Sequence, residues 1–181
     1  EAEYRKLGDV DLYINEEKAL ERAKEVLVAE GFVEEKEISD HHLTYHYTFA
    51  QTGRTYLLEL HYHVVGMYQY EPANQVLDEV FSSENLRGEQ QVIEGYGYQV
   101  LPPTEYVFYM LHHMLKHYLY SGFGIRLLCD FICYLEARRD EIDFDRLHAW
   151  CKRSHIMHFY ETIMESCRVY LGLACEIDGR I

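Results

Sequence analysis

Gly8-Asp9-Val10-Asp11-Leu12-Tyr13-Ile14 is the segment on which the interpretation of the fold depends, because two carboxylates alternate in it with aliphatic side chains. Val10, Leu12 and Ile14 recur at period two, which predicts a half-buried strand. Since successive side chains of a strand point to opposite faces, Asp9 and Asp11 share one face and the aliphatic residues bury the other. Two like charges about 4 Å apart repel by about 4 kcal/mol near a protein surface, and a divalent cation such as Mg²⁺ would reverse that repulsion. The alternative is that Asp9 caps the strand and Asp11 is solvated.

The bulk composition fits one domain or two small ones. The chain has 181 residues, 48% of them hydrophobic, and a formal net charge of -14. This charge disfavours a broad nucleic-acid surface, which needs clustered Lys and Arg, but it is compatible with a local cationic pocket. No apolar run is long enough to cross a bilayer and no secretory leader is visible, so we expect a cytoplasmic protein without a membrane partner.

The first residue and the cysteines lead to one expectation each, about the start of the chain and about the state of the thiols. The chain begins at Glu1 rather than at Met, which suggests that a segment precedes it. The five cysteines form no CxxC pair and have helix-like spacings, which predicts reduced, mostly buried thiols. They are Cys129, Cys133, Cys151, Cys167 and Cys175.

The N-terminal half is predicted to combine strands with a covering helix. Asn15 is a good N-cap for a helix whose apolar stripe runs to Gly31, a natural stop. Residues 42–50 and 55–65 then alternate as the two strands of a hairpin joined by a turn.

The second hairpin strand carries a carboxylate among apolar residues. Glu59, His61 and His63 share one face, opposite Leu58 and Leu60. A glutamate in this setting either belongs to a site or simply faces water.

The C-terminal half is predicted to be helical. A short helix at 73–81, a connector with a short strand at 82–97 and a last strand at 98–101 precede Pro102-Pro103. We place the domain boundary at this proline pair, giving domains 1–101 and 102–181. Four helices follow, with apolar stripes and short connections that predict a small antiparallel bundle. The first ends at Ser121-Gly122, the second spans 125–137, the third is capped by Asp143, and the fourth runs from a Ser154 cap to Gly172.

Motifs in a fixed order resemble a known family over nearly the whole chain. They are Arg5-x-x-Gly8-Asp9-Val10-Asp11-Leu12, Leu58-Glu59-Leu60-His61, Leu101-Pro102-Pro103-Thr104-Glu105, His113-x-x-Lys116-His117, Arg126-Leu127-x-x-Asp130 and Ile142-Asp143-Phe144-Asp145. The first two resemble the carboxylate strands of the DNA polymerase beta-like nucleotidyltransferases. The whole set is similar to one bacterial branch, the "uncharacterised nucleotidyltransferase" family.

The resemblance implies an α+β fold, with a nucleotidyltransferase-like mixed β-sheet and flanking helices followed by a small C-terminal helical bundle. It also implies transfer of a nucleoside monophosphate from an NTP to an acceptor hydroxyl, with release of pyrophosphate. By position, Asp9, Asp11 and Glu59 would be the catalytic carboxylates that hold Mg²⁺ or Mn²⁺, and Glu59 could serve as general base. The acidic composition favours a small molecule or a protein hydroxyl as acceptor over a nucleic acid.

A second group of residues is predicted to contact the substrate. His113 and His117 share a helix face with Lys116 nearby, and with Arg126 they would form a cationic lip for the nucleotide phosphates. Gly8 and His61 would contribute from the carboxylate strands. The alternatives are that the imidazoles pack between domains, that Lys116 pairs with an acidic residue, or that the histidines bind zinc.

One departure from the superfamily pattern keeps other functions open. Related enzymes cradle the triphosphate on a glycine turn before the Asp-x-Asp strand, and the eight residues before Asp9 supply none. A degenerate, non-catalytic domain kept for binding or assembly is therefore one alternative. A divalent-metal hydrolase that uses the His-rich helix is another.

Overall fold

The computed structural model describes residues 8–36 and 39–174, which divide into two compact units. The first spans Glu1–Met67 and the second Tyr68–Ile181. The proline pair predicted as a domain boundary lies within the second unit, where Pro103 begins a helix. The boundary between domains stays a prediction.

The first unit is a four-stranded mixed sheet with one helix, in the order β1-β4-β3-β2. β1 pairs parallel with β4, whereas β4 with β3 and β3 with β2 are antiparallel. The elements are β1 (Val10–Tyr13), α1 (Glu17–Ala29), β2 (Val33–Glu34), β3 (His42–Thr48) and β4 (Thr55–His61).

The β3–β4 hairpin forms as the alternation predicts. Phe49 N–H donates to the Arg54 carbonyl at 2.9 Å, and Gly53 adopts a φ of 65° that glycine accommodates without a Cβ clash. Tyr45 of β3 and Leu60 of β4 are fully buried. The second strand ends at His61 rather than continuing to residue 65.

The expected burial of the β1 aliphatic face is wrong. Val10 and Leu12 are 45% and 42% exposed. The reason is that β1 lies at the edge of the sheet and that α1 has no buried residue, so the helix does not cover the strand as predicted. The helix ends before Gly31 as expected, but its N-cap is Glu16 and not Asn15.

The second unit consists of a hairpin and five α-helices among the described residues. The elements are α2 (Glu71–Val80), β5 (Glu89–Ile93), β6 (Tyr96–Val100), α3 (Pro103–Tyr120), α4 (Ile125–Arg138), α5 (Phe144–Arg153) and α6 (Met157–Leu171), with a 3₁₀ turn at Arg139–Glu141. The segment 82–97, predicted as a connector with one short strand, contains β5 and the start of β6. Consecutive positive φ angles at Glu94 and Gly95 form the tight turn between them.

The helices bury the apolar stripes that the sequence predicts. Asp143 caps α5, its carboxylate accepting the Arg146 N–H at 2.9 Å, and Gly172 ends α6 with a left-handed φ of 78°. Ser154 does not cap α6, because its hydroxyl donates instead to the Trp150 carbonyl. The buried core includes Val107, Phe108, Leu111, Met114, Phe131, Leu135, Leu147, Tyr160, Ile163 and Met164. The fold class is α+β, as predicted.

The expectation that the cysteines are mostly buried is wrong for the described residues. Cys151 and Cys167 are buried free thiols, but Cys129 and Cys133 are exposed, so the described cysteines are not mostly buried; Cys175 lies outside the described residues. Within the described part of the chain, no helix has both the length and the apolar character needed to cross a membrane.

Candidate active site

The parallel pairing of β1 with β4 brings two predicted site residues together. Asp11 lies directly opposite Glu59 in the register, and residues opposite each other on neighbouring strands project from the same face. The carboxylate of Glu59 therefore lies on the same side of the sheet as that of Asp11.

His61 completes a compact group with the two carboxylates. Its Nε2 lies 3.2 Å from Glu59 Oε2 and 3.5 Å from Asp11 Oδ1. Burial by itself would lower the pKa of His61, but the hydrogen bonds and charges of the two carboxylates outweigh it and raise the pKa to about 9. The pKa of Glu59 is lowered, chiefly by the hydrogen bond from His61. Without a metal ion, His61 is therefore an imidazolium at neutral pH, and it has to lose its Nε2 proton in order to bind one.

The donor atoms of this group fit a divalent cation. One ligand atom each from Asp11, Glu59 and His61 lies within 4.8 Å of the others. Carboxylate oxygens suit Mg²⁺ and Mn²⁺, and the imidazole nitrogen adds a donor that Mn²⁺ accepts more readily than Mg²⁺.

The position of Asp9 relative to this group is less close, and its place in the site stays a prediction. Asp9 is exposed, precedes β1, and belongs to neither of the two groups of metal-binding donors in residues 8–36 and 39–174. Two residues along a strand span about 6.6 Å, and Asp9 lies beyond Asp11 on the side away from His61, which pairs with Tyr13. Gly8 is also exposed, and a Cβ there would meet nothing within 4 Å.

Two histidines that the sequence analysis did not single out lie next to the group. His42 is directly opposite His61 in the β3–β4 register, and its Nε2 is 3.7 Å from Glu59 Oε1. His41, His42 and His61 form the other set of donors within 4.8 Å. The sequence could have indicated that His42 lies beside His61, because a turn that pairs Thr48 with Thr55 places residue 42 opposite residue 61.

An open depression borders Glu59 on this face of the sheet. Its volume is about 710 Å³, and its lining includes Glu59, His42, Thr44 and Leu57. Since a carboxylate and an imidazole meet aliphatic and hydroxyl groups there, the depression offers space beside the site for a polar molecule with an apolar part.

The remaining predicted substrate-binding residues belong to the second unit. His113 and His117 share one face of α3, with their Nε2 atoms 3.0 Å apart. Lys116 Nζ lies 4.6 Å from the ring centroid of Tyr68 and 5.0 Å from that of Tyr120. Arg126, in the first turn of α4, is exposed. Their contact with a nucleotide stays a prediction.

A buried histidine in the second unit was also missed by the sequence analysis. His112 is fully buried, and its Nδ1 lies 2.9 Å from the Tyr68 hydroxyl. Burial, with a smaller contribution from the charge of Lys116, lowers the pKa of His112 to about 3. The imidazole is therefore neutral across the physiological range.

Comparison with known proteins identifies the family. A family model described as "Uncharacterised nucleotidyltransferase" matches residues 1–172. No curated protein and no solved structure matches the chain. Because the match extends over nearly the whole sequence, the chain belongs to this family of nucleotidyltransferases.

Proposed function

We propose that the chain is a metal-dependent nucleotidyltransferase that moves a nucleoside monophosphate from an NTP to an acceptor hydroxyl and releases pyrophosphate. Family membership supports the general activity. The observation that carries the specific proposal is the direct pairing of Asp11 with Glu59 on one face of the sheet, with their donor atoms close enough for a shared cation.

Asp11, Glu59 and His61 are the residues that would hold Mg²⁺ or Mn²⁺. Bound there, the ion would neutralise phosphate charge and orient the attacking and leaving oxygens. Asp11 is the more exposed carboxylate, with 42% of its side chain accessible, so it is the one that reaches towards the nucleotide. Asp9, which precedes β1, is proposed to become a further metal ligand when the nucleotide binds.

Glu59 is proposed as the general base. Its carboxylate is ionised at neutral pH and is proposed to accept a proton from the acceptor hydroxyl, although the hydrogen bond from His61, which lowers its pKa, makes it a weaker base. The hydrogen bond from His61 fixes its orientation, and the adjoining depression gives an acceptor access to it.

The acceptor is proposed from the net charge of the chain, and the phosphate contacts are proposed from the sequence motifs. The net charge of -14 favours a small molecule or a protein hydroxyl as acceptor. Gly8, His113, Lys116, His117 and Arg126 are proposed to contact the nucleotide, in keeping with the sequence motifs that contain them.

Calorimetric titration with ATP and the other NTPs, with Mg²⁺ or Mn²⁺ and then with EDTA, tests the proposal. We expect nucleotide binding that requires the metal and is lost in Asp11→Asn and Glu59→Gln. Glu25→Gln is the matched control, because Glu25 is an exposed carboxylate on α1 that pairs with Arg22. Pyrophosphate release in the presence of candidate hydroxyl acceptors then tests turnover. Metal-independent binding, or equal loss in the control, would contradict the assignment.

A non-catalytic binding or assembly domain is the second candidate, and one observation favours it. The imidazolium of His61 pairs with both Asp11 and Glu59 and offsets one of their two negative charges without any ion. Absence of nucleotide binding with either metal would favour this candidate.

A further inference from the structure

A cluster of three histidines lies beside the carboxylate pair. His41 precedes β3, His42 begins it, and His61 ends β4. The ring centroids are 4.3 Å apart for His41 and His42, 5.4 Å for His41 and His61, and 5.1 Å for His42 and His61. The proposed nucleotidyl transfer uses neither His41 nor His42, so this cluster needs an explanation of its own.

An oxygen atom holds the Nδ1 atom of each ring. His41 Nδ1 donates to Asp40 Oδ1 at 2.7 Å, and His61 Nδ1 donates at 3.3 Å to the backbone carbonyl two residues later. Ser39 Oγ lies 2.9 Å from His41 Nδ1 and 3.2 Å from His42 Nδ1. Metal-binding histidines are oriented in this way, since the nitrogen that does not bind the metal is held by an oxygen and the other is presented to the ion.

Burial and charge around the cluster also suit a cation. The side chains of His61 and His42 are only 10% and 16% exposed, and that of His41 is 26% exposed. The neighbouring carboxylates of Asp11 and Glu59 make the local potential negative. A negative potential beside three imidazole donors favours one divalent ion.

We propose that His41, His42 and His61 bind one transition-metal ion of the Zn²⁺ class through their Nε2 atoms. Imidazole nitrogen favours such ions over Mg²⁺, and three histidines with one open position are the donor set of a class of catalytic zinc sites. Ligand nitrogens at about 2.0–2.1 Å from a tetrahedral zinc ion are about 3.3 Å apart. One ring nitrogen of each histidine lies within 4.8 Å of those of the other two, and side-chain rotation would have to close the remaining gap. The site shares His61 with the ion of the proposed nucleotidyl transfer, so only one of the two ions can use this imidazole at a time, but the Zn²⁺ site does not rest on that activity.

Titration of the metal-free protein with Co²⁺, without nucleotide, tests the site directly. We expect one equivalent of Co²⁺ with the visible absorption of a low-coordinate nitrogen site, displaced by Zn²⁺. His41→Ala and His42→Ala should each weaken Zn²⁺ binding at least tenfold. Ser39→Ala, which removes the hydroxyl shared by both Nδ1 atoms, should weaken it about tenfold.

Two matched variants separate this site from its surroundings. His46→Ala changes another histidine of β3 that belongs to neither donor group in the described residues, and Asp11→Asn changes the neighbouring carboxylate. His46→Ala should retain Zn²⁺ binding within about threefold. Asp11→Asn, which removes one of the two nearby negative charges, should weaken it by less than either histidine variant. Because no nucleotide is present, failure of NTP binding leaves this result unaffected.

Three outcomes would overturn the site. The first is absence of stoichiometric binding. The second is binding lost in Asp11→Asn but kept in both histidine variants. The third is a purely thiolate-type spectrum, which would place Co²⁺ on the exposed Cys129 and Cys133. Circular dichroism checks folding, and if His41→Ala fails to fold, His42→Gln and Ser39→Ala decide.

Discussion

The Nε2 atom of His61 lies 3.2 Å from Glu59 Oε2, on the same strand and the same face of the sheet. Residues two apart on a strand share a face, so β4 by itself presents an acid and its cationic partner. Asp11 of the neighbouring strand adds a second carboxylate, 3.5 Å from the same imidazole nitrogen. We therefore expect changes at this contact to alter the stability of the first unit.

His61→Gln should destabilise the first unit in the absence of metal. It removes the positive charge between two carboxylates, and a hydrogen bond to a charged group contributes about 1.5–3 kcal/mol. We expect faster hydrogen exchange of the β4 amides in EDTA than in the unchanged protein. His46→Gln, on β3, should leave the exchange unchanged. Equal exchange rates in the His61 variant and the unchanged protein would show that the contact does not stabilise the sheet.

His112 should make the stability of the second unit depend on pH. Because the folded pKa is about 3 and the unfolded value is 6.5, the unfolded state binds the proton first as the pH falls. The stability that depends on neutral His112 is complete above about pH 6.5 and is lost towards pH 3. The slope approaches about 1.4 kcal/mol per pH unit, or about 2 kcal/mol between pH 6.5 and 5.

Denaturant unfolding at several pH values measures this dependence. The fluorescence of Trp150, whose ring centroid is 5.4 Å from that of Phe108, reports on the second unit. His112→Gln should remove most of the slope, whereas His158→Gln should not, since the His158 side chain is 96% exposed. An unchanged slope in the His112 variant would refute the prediction.

Replacing a leucine of α3 by alanine should change the free energy of unfolding by very different amounts at two positions. Leu111 is fully buried and Leu119 is 56% exposed. Leu111→Ala should cost about 2–5 kcal/mol of unfolding free energy, because it leaves a cavity in close-packed surroundings. Leu119→Ala should change it by less than about 0.5 kcal/mol. Equal effects of the two substitutions, measured by Trp150 fluorescence, would contradict the burial of this helix face.

Removing the N-cap of α5 should lower the free energy of unfolding moderately. The Asp143 carboxylate accepts the Arg146 N–H at 2.9 Å, and replacement of such a cap by Ala costs about 1 kcal/mol. Asp143→Asn should retain nearly all of the stability, because asparagine caps a helix about as well as aspartate. If Asp143→Asn and Asp143→Ala lower the free energy of unfolding equally, the negative charge of Asp143 stabilises the helix and its hydrogen bond does not.

The helices and the hairpin follow from short-range patterns. Period-two alternation and the turn at Gly53 predict β3 and β4, and the stripes of the C-terminal half predict the helices that bury them. Prediction failed where burial depends on a distant partner, as with Val10 and Leu12 on the edge strand. It also failed at the caps Asn15 and Ser154, because the helices begin one and two residues later than these residue types suggest.

The sequence by itself determined that Asp11 and Glu59 each lie on the polar face of a strand, because side-chain direction alternates residue by residue. Only the tertiary structure decided that these faces meet, since the parallel register of β1 on β4 joins segments far apart in the chain. The same pairing brings His61, which the sequence did not assign to the metal, into one group with the two carboxylates. Strand alternation is a local property of the backbone, whereas the choice of partner and register depends on packing across the whole sheet.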